Sequence, residues 1–248
     1  MNLPITVSSG ILIPLLGTAA GAAAVFFFNR ALNQTVQKVF FGFAAGVMLA
    51  SSVWSLLLPS LESGGALQGG GGLLSGFLIF LAGDALLSRA QKRKAGKNTG
   101  GMLALAVTLH KIPEGMAVGV AFAGALASPG AVLAPAMILS AGIALQNVPE
   151  GAVISMPLAG LGMRKGRAFF WGALSGAVEP LGAAAALALT RFVVPALPFF
   201  LSFAAGAMIY VAAVELIPEL PGGEGERAGY AALIGGFAVM MLLDVLLG

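Results

Sequence analysis

Three glutamates, a histidine and a glutamine stand in stretches of this chain that are otherwise almost wholly apolar. His110 and Glu114 are four residues apart, and so are Gln146 and Glu150. At helical spacing each pair lies on one face about one turn apart, so both can point into one pocket. The pairs belong to two matching stretches 36 residues apart, His110-Lys111-Ile112-Pro113-Glu114-Gly115 and Gln146-Asn147-Val148-Pro149-Glu150-Gly151. Pro113 and Pro149 have no N–H for the carbonyls of Leu109 and Leu145, and the following glycines let the backbone adjust around the kinks. Glu179, followed by Pro180, adds a third carboxylate at comparable depth in its own segment. Taken singly, each of these residues is equally well explained by an interhelical hydrogen bond or a protonated acid. Two matched copies plus Glu179 point to one shared site. One imidazole, one amide and carboxylates suit Zn²⁺, Cd²⁺, Fe²⁺, Mn²⁺ or Ni²⁺ and offer nothing that selects Cu⁺. No cysteine is present, so thiolate ligation and a disulfide framework are excluded.

The elements that must position these residues are membrane helices. Hydrophobic residues make up 58% and charged residues 9% of the 248, and the mean hydropathy is +0.97. One apolar core does not absorb that excess at this length, so it must face lipid. Eight apolar segments are expected, at 5–29, 36–59, 70–88, 101–127, 131–160, 167–190, 195–220 and 228–247. Each is close to or beyond the roughly 20 residues that cross a bilayer core as a helix. The two-residue alternation of a membrane barrel is missing. The N-terminal stretch has no basic lead and is read as the first span.

Basic residues fall on one side. Of the 13 Lys and Arg, all but Arg191 and Lys111 flank odd-numbered loops: Arg30, Lys38, Arg89, Lys92, Arg93, Lys94, Lys97, Arg164, Lys165, Arg167 and Arg227. The positive-inside rule then puts those loops in the cytoplasm and both termini outside. The net charge of +3 belongs to this asymmetry, and no nucleic-acid partner is expected.

A repeat runs through the chain. Phe43-Ala44-Ala45-Gly46-Val47-Met48 returns as Phe203-Ala204-Ala205-Gly206-Ala207-Met208, and Asp84-Ala85-Leu86-Leu87 as Asp244-Val245-Leu246-Leu247, both at an offset of 160. Gly21-Ala22-Ala23-Ala24 matches Gly182-Ala183-Ala184-Ala185 one residue out of step, which pairs Thr18 with Glu179. An offset of five helices is odd, so the copies have opposite orientation, as in many transporters. The expectation is a single transmembrane domain over 1–248, all-α, with inverted repeats 1–88 and 161–248 around a central helix pair 101–160. Asp84 and Asp244 hold equivalent places near segment ends and are read as structural.

With the two Pro-Glu-Gly helices, Ala177-Val178-Glu179-Pro180-Leu181-Gly182, and the run from Phe203-Ala204-Ala205-Gly206 through Glu215-Leu216-Ile217-Pro218-Glu219, the chain resembles the ZIP (Zrt/Irt-like) family of divalent-metal transporters, in a prokaryotic form. The resemblance covers all eight segments. It implies a 3+2+3 arrangement of eight transmembrane helices, outward termini, a homodimer in the cell (inner) membrane, and metal movement toward the cytoplasm. Carried over by position, the main metal site falls on His110, Glu114, Gln146, Glu150 and Glu179. A neighbouring second site would use Asn147 and Lys111 with the bridging glutamates, but a protonated ammonium cannot ligate a metal. Met48, Ser55 and Glu62 along the second segment, and Glu215 along the seventh, are implied path residues. Position 214 is Val where many members of that family carry His, and the 89–100 loop has no His.

Three functions remain open at this point. A transporter cycles around a fixed midplane site, its partners being the lipid bilayer and the divalent ion, zinc first, with no cofactor and no catalytic residue. An intramembrane zinc-dependent hydrolase would hold the metal with an open position for water, but the chain has one His and lacks the paired-His helical motif. A structural or channel-forming bundle would use the kinks only for packing.

Overall fold

The computed structural model describes residues 3–27, 32–94, 99–128, 130 and 132–247, with the backbone alone over 87–94 and 99–110. All regular structure among the described residues is helical. The long elements are α1 (Leu3–Ala22), α2 (Gln34–Ser51), α3 (Leu58–Lys94), α4 (Thr99–Ala127), α5 (Ala134–Gly160), α6 (Lys165–Ser175), α7 (Val178–Ala188), α8 (Leu197–Val211) and α9 (Glu226–Leu247). Five stretches among these residues are long and apolar enough to cross a membrane: Leu3–Phe27, Gln34–Leu86, Ala134–Gly160, Thr190–Glu219 and Glu226–Leu247.

Two boundaries differ from the expected segments. The break between 59 and 70 is a kink between two helical stretches at Gly65, whose φ of 68° and ψ of −178° suit only a residue without Cβ. Segment 167–190 is split into α6 and α7 at Gly176–Ala177. Pro180 lacks the N–H that would bond the Gly176 carbonyl, and the Glu179 N–H takes that acceptor instead, at 3.2 Å. Glu179 therefore sits in the first turn of α7, where the helix dipole favours a carboxylate. Pro113 and Pro149, in contrast, lie inside α4 and α5 without ending them.

Glycines set how closely the helices approach, since small residues let backbones meet in an apolar medium. A Cβ on Gly46 of α2 would lie 2.0 Å from the Leu233 carbonyl oxygen of α9, and one on Gly206 of α8 would lie 2.1 Å from that of Leu73 in α3. Gly236 meets the Phe43 carbonyl as Gly76 meets that of Phe203. Each contact is thus matched by another 160 residues along the chain. The same offset relates two π-helical turns, Ser52–Leu57 after α2 and Ala212–Leu216 after α8.

A second group packs α1 on α5 and α4 on α7. Gly151 stands against the Thr18 carbonyl, and Gly115 against that of Glu179. Where the groups meet, glycines face side chains: Gly142 of α5 abuts Met240 of α9, and Gly124 of α4 abuts Leu197 of α8.

The connecting ends sort to two sides. Lys38 donates to the carbonyls of Pro221 and Gly222, and Lys165 donates to that of Phe26 at 3.5 Å, joining the first, fifth and seventh connections. Ser60 donates to the Pro198 carbonyl at 2.5 Å, joining the second and sixth. Arg30, Lys97 and the side chains of Arg89, Lys92, Arg93 and Lys94 lie outside the described residues.

Candidate metal-binding site

α1, α4, α5 and α7 converge on one buried polar centre. Lys111, Glu114, Gln146, Asn147, Glu150, Glu179 and Thr18 are all buried, the most accessible being Glu150 at 7%. The tight approach of Gly115 to the Glu179 backbone and of Gly151 to that of Thr18 draws these residues to a common depth.

The Lys111 ammonium lies among the carboxylates. Nζ is 2.5 Å from Glu150 Oε2, 3.0 Å from Glu179 Oε1 and 3.3 Å from Glu114 Oε2, and it donates to Asn147 Oδ1 at 2.7 Å. Asn147 Nδ2 donates to Glu179 Oε2 at 2.8 Å and to the Pro14 carbonyl at 3.1 Å. Thr18 Oγ1 reaches Glu179 Oε1 at 3.4 Å. Gln146 Nε2 donates to Glu114 Oε1 at 3.1 Å, and Gln146 Oε1 is buried without a hydrogen-bond partner among the described residues. A buried amide oxygen left in that state is costly unless a cation or water takes it.

Of the five main expected site residues, Glu114, Gln146, Glu150 and Glu179 are brought together. His110 lies in α4 one turn before Glu114, and its side chain is outside the described residues. Among the described residues no group of three His, Cys, Asp or Glu is arranged by itself to hold a metal ion, because the carboxylates close on the ammonium. Of the secondary positions, Lys111 and Asn147 belong to this centre. Met48 is buried in the apolar core, and its carbonyl accepts from Ser51 and Ser52. Ser55 donates to Asp244 at 2.8 Å, Glu62 is exposed, and Glu215 is half-buried in the second π-helical turn. Asp84 accepts from the Tyr210 hydroxyl at 3.1 Å, so both repeat-related aspartates tie helices together.

Two contributors from α1 were not expected as site residues. The repeat alignment pairs Thr18 with Glu179, which was the available signal. The Pro14 carbonyl carried none, since any backbone oxygen looks alike in a sequence.

The ZIP zinc transporter family model matches residues 91–244. The chain belongs to the ZIP family. It is similar to the zinc transporter ZIP11 of Homo sapiens, 33% identical over 323 residues that cover 93% of this chain and 94% of that one. It is 36% identical over 256 residues to the zinc transporter ZIPB of Bordetella bronchiseptica, covering 94% and 81% of the two chains. With the zinc transporter GufA of Myxococcus xanthus it shares 33% identity over 258 residues, covering 97% and 99%. As a ZIP chain it is a multi-pass membrane protein, and its Pro-Glu-Gly helices α4 and α5 both lie within the matched span.

Proposed function

We propose that this protein carries divalent transition-metal ions, zinc foremost and also cadmium, iron, manganese or nickel, into the cytoplasm by alternating access. Its ligands would be His110, Glu114, Gln146, Glu150 and Glu179. The observation that carries the reading is the buried Gln146 Oε1, unpartnered among the described residues, beside three glutamates in a ZIP-family chain. ZIP members are transporters, and the hydrolase alternative is set aside.

In the proposed architecture, eight helices form a 3+2+3 arrangement, with inverted repeats 1–88 and 161–248 around the pair at 101–160. The glycine contacts duplicated at an offset of 160 and the two matched π-helical turns support it. Gln34–Leu86 is far longer than a single crossing, and the bend at Gly65 divides it into two spans. The α1–α4–α5–α7 group would move against the α2–α9 and α3–α8 pairs. Support comes from the seam between them, where Gly142 faces a flexible methionine and Gly124 a leucine side chain rather than backbone. Both termini would face out of the cytoplasm in the inner membrane, and the protein would be a homodimer. The joining of Lys38 and Lys165 to the first and seventh connections supports the sidedness.

Uptake into proteoliposomes, measured across a metal panel with and without a pH gradient, tests the activity. Saturable entry of Zn²⁺ or Cd²⁺ is expected, and non-saturating flux or none overturns the transporter reading. Topology is tested with impermeant thiol reagents on Leu161→Cys and Ser63→Cys. The first is expected to react only from the cytoplasm and the second only from outside, and labelling of both from one side refutes the orientation.

A further inference from the structure

The three glutamates of the buried centre meet at the Lys111 ammonium, and Glu114 alone is also seen to reach to its other side. Glu114 turns Oε2 to the Lys111 ammonium and Oε1 to the Gln146 amide. Glu150 gives Oε2 to the ammonium, and Glu179 gives it Oε1 while Oε2 accepts from Asn147. One side of the centre is thus occupied by a positive charge held by four oxygens within 3.3 Å. On the other, Gln146 Oε1 is buried and has no partner among the described residues. Glu114 stands between a position already filled by a cation and one that offers this amide oxygen, and the cation present is covalently attached to α4.

Resting on the transport reading above, we propose that the Lys111 ammonium is a resident second cation, which restricts the site to one divalent ion at a time. With three carboxylates ionised and one ammonium charged, the centre carries a net charge of −2, which one divalent ion cancels. A second ion would leave a surplus of +2 in the membrane interior, where isolated charge is costly. It would also have to enter the position that Nζ already fills. Because the ammonium is tethered, it remains when the metal departs and holds Glu114, Glu150 and Glu179 together through the rest of the cycle.

Zinc counting on the purified full chain tests this, by elemental analysis after equilibration with zinc and gel filtration. The native protein is expected to retain one ion per chain. Lys111→Asn and Lys111→Gln remove the cation and supply an amide oxygen beside Asn147, so each is expected to retain two. Lys111→Arg keeps the charge and stays at one. Two ions in the native protein, or one in both amide variants, overturns the proposal while leaving the transport reading intact. Zinc absent from the native protein, or retained unchanged in Glu150→Ala, overturns both. Monodispersity on the same column identifies folded variants, and the two amide substitutions give independent chances of a folded sample.

Discussion

The helices around the charged centre and the pairs alongside them are assembled by the same device for different ends. In both groups a glycine lets one backbone close on a carbonyl of the next, as Gly115 does on Glu179 and Gly46 on Leu233. In α1, α4, α5 and α7 that closeness brings together three buried carboxylates, an ammonium and two amides. In the α2–α9 and α3–α8 pairs it buries Ala44, Ala45, Val47, Ala204 and Ala205, and the buried serines 51, 52 and 202 bond only to backbone carbonyls. A charge placed in the first group is held by neighbours. In the second, Asp84 and Asp244 near the helix ends bond to hydroxyls, and the buried alanines between them offer a charge no partner. The difference implies that substitutions in one group act on the ion and in the other on the fold.

The sharpest way to break that contrast is Glu114→Ala or Glu150→Ala. Either is expected to reduce metal uptake to background at a native level of membrane protein, because a divalent ion is then under-neutralised in a low-dielectric pocket. Uptake near the native rate at matched expression would make these glutamates structural. Next is Gly206→Leu, whose Cβ would lie 2.1 Å from the Leu73 carbonyl oxygen. Backbone cannot give way as a side chain can, so a loss of about 3 kcal/mol or more is expected, read as a collapse of thermal stability in detergent. Gly70→Ala, with nothing within 4 Å, is the control and is expected to melt with the native protein. A smaller effect is expected from Gln146→Leu. Removing the unpartnered oxygen and the amide held to Glu114 should lower apparent metal affinity by roughly ten-fold, with stability little changed. The mildest is Gly142→Ala at the seam, where the added methyl meets the Met240 thioether. A flexible partner can move aside, so a stability change under about 1 kcal/mol is expected, with uptake slowed less than in Gln146→Leu. A collapse as deep as that of Gly206→Leu would show the seam to be rigid.

Much of this was legible before any coordinates. Composition makes the chain a membrane protein, and the i, i+4 spacing of His110 with Glu114 and of Gln146 with Glu150 follows from helix geometry alone. Lys111 three residues before Glu114 is likewise in ion-pair reach by spacing, and the pair is found at 3.3 Å. The match of Thr18 to Glu179 was also there to be read, although it assigned Thr18 no role. Less legible were the boundaries. The gap expected between segments ending at 59 and starting at 70 is a single kink at Gly65 between two helical stretches.

Tertiary structure alone decided how the ammonium is shared. Reach along one helix is set by a rise of about 1.5 Å per residue, so Lys111 and Glu114 are neighbours in any fold that keeps α4 helical. The 2.5 Å approach of Lys111 to Glu150, the Asn147 bond to the Pro14 carbonyl and the lack of a partner for Gln146 Oε1 among the described residues depend on the rotation and depth of α1, α5 and α7 against α4. Those are set by which carbonyl each glycine meets. A glycine in a sequence permits a close approach without naming its partner, so the membership of the charged centre could be read from residue types while its pairing could not.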